Sequence, residues 1–328
     1  MDMSETAKMK ILVTGGAGFI GCALVNSLLD SEKHQPLASV RRITPSLPPL
    51  IQSIDEVGPN TDWRNVLKNV DVVVHNAALV HVTSDGSNEA LEAYRESNAL
   101  GTLNLALQAL SSGVKRFVYI SSIKVNGECT HLNRPFEASD APNPVGPYAV
   151  SKFEAENGLN DLSARAGMEV VIIRPPLVYG PGVKANFHTM MRWLMRGIPL
   201  PLAAVNNKRS LLALDNLISL IVTCIEHPAA ANQTFLVSDG EDLSTPELLR
   251  RLGALLGKPA RLFPVPQKLL DTSLRLLGKG DMAMSLCSSL QVDMSKTNRI
   301  LNWMPPLTVD QGLLITAQDF LRSRESDN

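Results

Sequence analysis

Apolar residues along this chain follow two rhythms. Short solid runs such as Lys10-Ile-Leu-Val-Thr14 alternate with longer stretches whose apolar positions recur every three or four residues. A solid run suits a strand buried on both faces, and the spaced pattern suits an amphipathic helix. Strands are predicted at 10–14, 37–40, 70–75, 115–121 and 169–174, with helices over 22–29, 89–112 and 148–166. A Pro-rich loop occupies 44–50. This alternation implies an α/β fold built on a doubly wound parallel sheet. Past Arg174 the pattern loosens, with Pro175-Pro176 and Tyr179-Gly-Pro-Gly182 marking turns. A helix over 215–226 and a strand over 234–237 read as a return to the sheet. At 328 residues the chain is long for one domain. The expected division is 9–175 plus about 211–238 for the first domain, and about 176–210 plus 239–328 for a smaller α/β lobe.

The first strand runs into Gly15-Gly-Ala-Gly18-Phe19-Ile20-Gly21, which fits both G-x-x-G-x-x-G and G-x-G-x-x-G, and a helical pattern follows it. Glycines there allow a tight turn and bring backbone amides close to a pyrophosphate at the helix N-terminus. The first domain is therefore expected to be a Rossmann-like, NAD(P)-binding domain.

Composition narrows the class. Hydrophobic content of 45% with 19% charge is ordinary for a folded globular chain and excludes disorder. A net charge of −1 offers no field for a polyanion, so nucleic acid is not an expected partner. The four cysteines are scattered without C-x-x-C, which favours free thiols over disulfides and leaves no metal site. The first residues lack the basic and apolar regions of a signal peptide. The most apolar later stretch, 211–225, is broken by Asp215 and Asn216 and reads as a buried helix too short to span a membrane. A cytoplasmic enzyme without membrane partners is expected.

Tyr148 and Lys152 lie four apart, on one face of a predicted helix. An ammonium beside a phenol favours phenolate, lowering the tyrosine pKa toward working pH. Such a tyrosine can exchange a proton with a substrate oxygen while a nicotinamide moves hydride. None of the other three tyrosines has a lysine four residues on.

These pieces together resemble the extended short-chain dehydrogenase/reductase superfamily, in its nucleotide-sugar epimerase and reductase branch. The markers are Thr14-Gly-Gly-Ala-Gly-Phe-Ile-Gly21, His75-Asn-Ala-Ala78, Asn98-Ala-Leu-Gly-Thr102, Tyr119-Ile-Ser-Ser122 and Tyr148-Ala-Val-Ser-Lys152. Arg174-Pro-Pro-Leu-Val-Tyr-Gly-Pro181 and the stretch from Arg209 to Asp215 complete them. The resemblance implies a catalytic set of Ser122, Tyr148 and Lys152, and it selects Ser122 over Ser121. It also implies that Asn76, Ala77 and Ala78 let a dinucleotide lie across the sheet edge. Asn98 would help position the Lys152 ammonium, and the Pro175 carbonyl would hold the nicotinamide carboxamide. Glu56 is the candidate contact on the adenine side. For substrate, it implies Arg209 on a nucleotide diphosphate with Lys208 adding charge, Asn186 and Phe187 along the nucleotide and sugar, and Lys124 beside the sugar. His81 reads as a loop residue.

Twenty residues beyond Gly21, where an acid would hold the ribose hydroxyls of NAD, the chain has Arg41 and then Arg42. A guanidinium can take a 2′-phosphate in two hydrogen bonds, so NADP(H) is favoured over NAD(H).

The leading expectation is a reductase of the C4 keto group of a UDP-4-keto-6-deoxy-N-acetylhexosamine, serving surface polysaccharide synthesis. The alternative is a UDP-hexose 4-epimerase, for UDP-glucose or UDP-GlcNAc, with tightly bound NAD. A non-catalytic dinucleotide-binding module is more remote, since it predicts loss of Ser122, Tyr148 or Lys152. A homodimer is expected through the helices near 89–112 and 148–166, with Leu91, Leu103, Leu107 and Phe153 contributing.

Overall fold

The computed structural model describes residues 8–41, 51–54, 56–80 and 87–326. Arg42, His81 and the 44–50 loop lie outside the described residues. In chain order the first half gives β1 (Met9–Thr14), α1 (Phe19–Leu29), β2 (His34–Val40), β3 (Ile51–Ser53), β4 (Val72–His75) and α2 (Ser87–Tyr94). A π-helical segment, Arg95–Leu100, leads into α3 (Gly101–Ser111), followed by β5 (Arg116–Ile120), α4 (Gly146–Ala166) and β6 (Glu169–Arg174). The second half runs β7 (Leu177–Tyr179), α5 (Ala185–Met195), β8 (Arg209–Ala213), α6 (Leu214–Glu226), β9 (Gln233–Leu236) and β10 (Asp242–Leu243). It ends with α7 (Thr245–Leu255), α8 (Gln267–Leu276), α9 (Gly280–Cys287), α10 (Ser295–Leu301) and α11 (Val309–Ser326).

Seven parallel strands pair in the order β3-β2-β1-β4-β5-β6-β9. Their solid apolar runs are explained by burial on both faces. Ile11, Val13, Val118, Ile120, Val171 and Ile173 pack beneath α1 and α6. The alternate residues Leu12, Val73, Phe117, Tyr119, Val170 and Ile172 pack beneath α3 and α4. Strand order reverses direction at β1 and β4, and a doubly wound sheet opens its ligand crevice at the carboxyl ends of such strands. The second lobe has a small sheet, β10-β8-β7, whose core is shared with α5, α7, α8 and α11.

Two predicted elements change, and one observed strand has no predicted counterpart. The helix expected over 89–112 is α2, the π-helical segment and α3. The wide turn brings Gly101 against the loop at Val57 and Gly58, where an added Cβ would stand 3.0 Å from backbone. π-Helical turns of this sort concentrate near functional sites. The apolar stretch 211–225 is not one helix: Leu211 to Ala213 end β8 and Leu214 begins α6. Asp239 fixes the break, accepting from Ala213 N at 2.8 Å and Asn216 Nδ2 at 2.7 Å. The short edge strand β3 has no periodic signal.

Candidate active site

α1 begins at the end of β1 with Gly18 as its N-cap and no side-chain cap, so its first amides are left to a ligand. The glycines are required by packing. A Cβ on Gly21 would stand 2.1 Å from the Gly15 carbonyl oxygen, and one on Gly15 would meet Ala77 backbone at 3.0 Å. The loop opens on a cleft of about 1240 Å³ lined by Gly15, Gly18, Phe19, Ile20, Asn76, Ala77 and Ala78, with Arg41 and Glu56 at its rim. Uncapped amides over a glycine loop, with small residues opposite, fit a dinucleotide.

Beneath this floor lies a buried polar chain that sequence reasoning missed. Thr14 Oγ1 accepts from Asn76 N at 3.2 Å and Ala77 N at 3.1 Å, and meets His75 Nδ1 at 2.7 Å. His75 Nε2 meets Thr102 Oγ1 at 2.9 Å, and Thr102 donates to Asn98 O at 2.7 Å. The Thr102 proton is thereby committed, so the network assigns the proton to His75 Nε2 and lets Nδ1 accept from Thr14. Burial, then Lys152, pushes the His75 pKa down to about 3, so the ring is neutral. The available signal was a histidine closing the otherwise apolar strand Val72–His75.

Pro147 opens α4, placing Tyr148 in its first turn and Lys152 one turn on. Tyr148 stands edge-on to Tyr94, with ring centroids 6.0 Å apart, beside the Ser122 hydroxyl. Ser122 leaves the carboxyl end of β5 as the N-cap of a short helical turn, 123–125. Its neighbour Ser121 is occupied elsewhere, donating to Glu156 within a buried cluster completed by Arg174 and Asn126. Of the two serines, Ser122 is the one beside Tyr148.

The electrostatics depart from the expectation drawn from Tyr-Lys spacing. The Lys152 Nζ donates to Ile120 O at 2.7 Å and sits 4.2 Å from the Tyr119 ring centroid. Burial pushes its pKa down to about 7, with Glu156 opposing. Tyr148 is pushed up to about 12 by burial and then by Tyr94, with Ser122 opposing. Burial and Tyr94 thus favour the neutral phenol of Tyr148, while the Lys152 Nζ is directed at Ile120 O.

Other expected contacts sort themselves by burial. Asn98 is 1% exposed and does not hold Lys152. Its amide instead bonds Leu79 N and O and Ser151 Oγ, tying the cleft wall to α4. The Pro175 carbonyl accepts from Ile123 N at 3.0 Å, leaving its second lone pair for a carboxamide. Lys124 and Asn186 are exposed. Phe187 is 1% exposed and stacks on Tyr179 at 5.3 Å, so its side chain belongs to the core of the second lobe. The amphipathic turn of α5 sends it inward with Met190, Met191 and Leu194. Arg209 donates to Ser288 O at 3.0 Å, and burial lowers its pKa. Lys208 beside it is exposed.

An open seven-stranded sheet, a dinucleotide-shaped cleft and a serine-tyrosine pair at the end of β5 define a nicotinamide-dependent enzyme. Residues 11–238 match the NAD dependent epimerase/dehydratase family, and the chain belongs to it. It is an NAD(P)-dependent enzyme of the extended short-chain dehydrogenase/reductase superfamily. The UDP-glucose 4-epimerase of Vibrio cholerae is 49% identical over 314 residues, 95% of this chain and 96% of that one. The structure of UDP-glucuronic acid 4-epimerase from Bacillus cereus in complex with NAD aligns with a TM-score of 0.78 at 22% identity, covering 96% of this chain and 99% of that one. UDP-glucose 4-epimerase from Thermotoga maritima, solved with UDP-glucose, aligns with a TM-score of 0.76 at 21% identity, covering 96% and 100%. At those identities the two structures bear on the fold alone.

Proposed function

We propose that the protein is a UDP-hexose 4-epimerase that inverts C4 with no net redox change. Likeness to a UDP-glucose 4-epimerase along nearly the whole of both chains carries this reading over the 4-keto reductase. Bound NAD supplies a reversible hydride acceptor. Tyr148 takes the proton of the C4 hydroxyl and returns it once the keto sugar has turned over. Ser122 orients the sugar oxygen, and Lys152, when protonated, lowers the Tyr148 pKa for the first of these transfers. Arg209 holds the diphosphate, and the exposed Lys124 and Asn186 meet the sugar and nucleotide.

NAD is the cofactor we assign, because the reaction regenerates it and it need never leave. Arg41 supports NADP(H) by its charge alone. With four free cysteines, we place the enzyme in the cytoplasm, where thiols persist. Purified protein should interconvert UDP-galactose and UDP-glucose with no added cofactor, and acid extraction should release NAD. Consumption of NADPH on a UDP-4-keto sugar, without interconversion, would show a reductase instead.

We also propose a homodimer through α3 and α4. Leu103 is withdrawn from that face, because it packs on α4 of its own chain where Gly158 leaves room. Of the expected contributors, Leu91 and Phe153 are half-buried and Leu107 is 52% exposed, and Leu100, two turns before Leu107 and 51% exposed, joins them. Light scattering should give twice the 35.6 kDa chain mass, and Leu107→Asp should shift it to the monomer.

A further inference from the structure

The most exposed apolar side chains lie far from the cleft. Among the described residues, Leu276 at 83% and Leu277 at 70% lead the exposed large hydrophobics, and Leu269 is 59% exposed. All three belong to α8 or the residue that ends it. Its inner face is satisfied by the second-lobe core, where Leu270 is buried and Leu274 packs. Leu269 and Leu276 are seven apart and share the opposite, outward face. An isolated exposed leucine needs no explanation, but a stripe of them at the end of an amphipathic helix does.

The charge beside the stripe says what covers it. Lys268 and Arg275, again seven apart, run alongside, and Lys279 follows the last turn. Residues 258–280 carry five basic side chains, all exposed, against the single acid Asp271, a net of +4 in a chain whose balance is −1. Asp271 is itself paired with Arg275 at 2.9 Å. Leucines flanked by long cationic side chains match the headgroup boundary of an anionic membrane, where apolar groups sink and lysines snorkel. No helix among the described residues is long and apolar enough to cross a membrane, so the contact is peripheral.

We infer that α8 and the turn after it, through Leu269, Leu276 and Leu277 rimmed by Lys268, Arg275 and Lys279, dock the enzyme on an anionic lipid bilayer. The start of this helix adjoins the segment that carries Arg209. Gln267 at the start of α8 donates to Cys287 O and accepts from Asn206 N, while Arg209 donates to Ser288 O. A docked enzyme would release its product beside the membrane, where a glycosyl-transfer reaction onto a lipid acceptor would consume it.

Sedimentation of the full chain with phosphatidylcholine vesicles, with and without phosphatidylglycerol, tests this. The protein should pellet with the anionic vesicles only, and salt should release it. Leu276→Asp/Leu277→Asp should lower the bound fraction at least about tenfold with turnover in solution unchanged. Lys268→Glu/Lys279→Glu should remove the preference for anionic lipid. Wild-type protein remaining in the supernatant overturns the inference. So does equal pelleting of the leucine variant, or a change in its mass by light scattering, which would assign the face to a second copy. Epimerase turnover in solution is read separately, so failure of the reaction assignment leaves this result interpretable.

Discussion

Tyr148→Phe should fold, retain NAD and turn over roughly 10²–10⁴ times more slowly, the span of a positioned general acid-base group. At 1.36 kcal/mol per decade, that is about 3–5 kcal/mol of barrier. The variant removes one hydroxyl and keeps the ring, so the edge-on contact with Tyr94 survives. Loss should fall on kcat with little change in KM, the signature of an interaction made in the transition state and not in ground-state binding. Assay of UDP-galactose conversion, with NAD content measured in parallel, separates chemistry from binding. Turnover near the parent rate would exclude Tyr148 as the group that handles the proton.

Gly21→Ala should have the largest effect on the cofactor. Its Cβ would be placed 2.1 Å from the Gly15 carbonyl oxygen and 3.0 Å from Gly16 Cα. Both neighbours are backbone, so no side chain can swing aside. Either α1 tilts away from the sheet or the turn opens, and each displaces the uncapped amides at the start of α1. Overpacking of this kind costs roughly 3 kcal/mol. The purified variant should carry no NAD and should denature at lower urea. An unchanged midpoint with full NAD content would mean that the loop has slack that the packing denies.

The main sheet was legible because strands buried on both faces write themselves as solid apolar runs. The glycine turn was legible for a similar reason, since no other residue tolerates such an approach. Other features depended on where side chains point. Tyr148 and Lys152 do share a helix face, yet the ammonium chooses a carbonyl at the end of β5, which no spacing rule announces. Phe187 looked like a ligand contact because of its neighbours in sequence, while the amphipathic turn of α5 commits it to the core. Arg209 has its carbonyl partner 79 residues away, at Ser288, so its burial was invisible to local pattern. The π-helical segment is absent from the pattern because one extra residue per turn barely perturbs a helical rhythm.

The buried cluster around Ser121 sets the parity of a strand end. Adjacent residues leaving a strand face opposite ways, so Ser121 and Ser122 are interchangeable in chemistry but not in phase. Ser121 is latched to Glu156, and Glu156 is latched to Arg174, which ends the neighbouring strand β6. A slip of β5 by one residue would aim Ser121 at the cleft and bury Ser122. It would also break a charged pair held away from water, which is strongly disfavoured. The ion pair therefore works as a phase lock that decides which of two identical hydroxyls stands beside Tyr148.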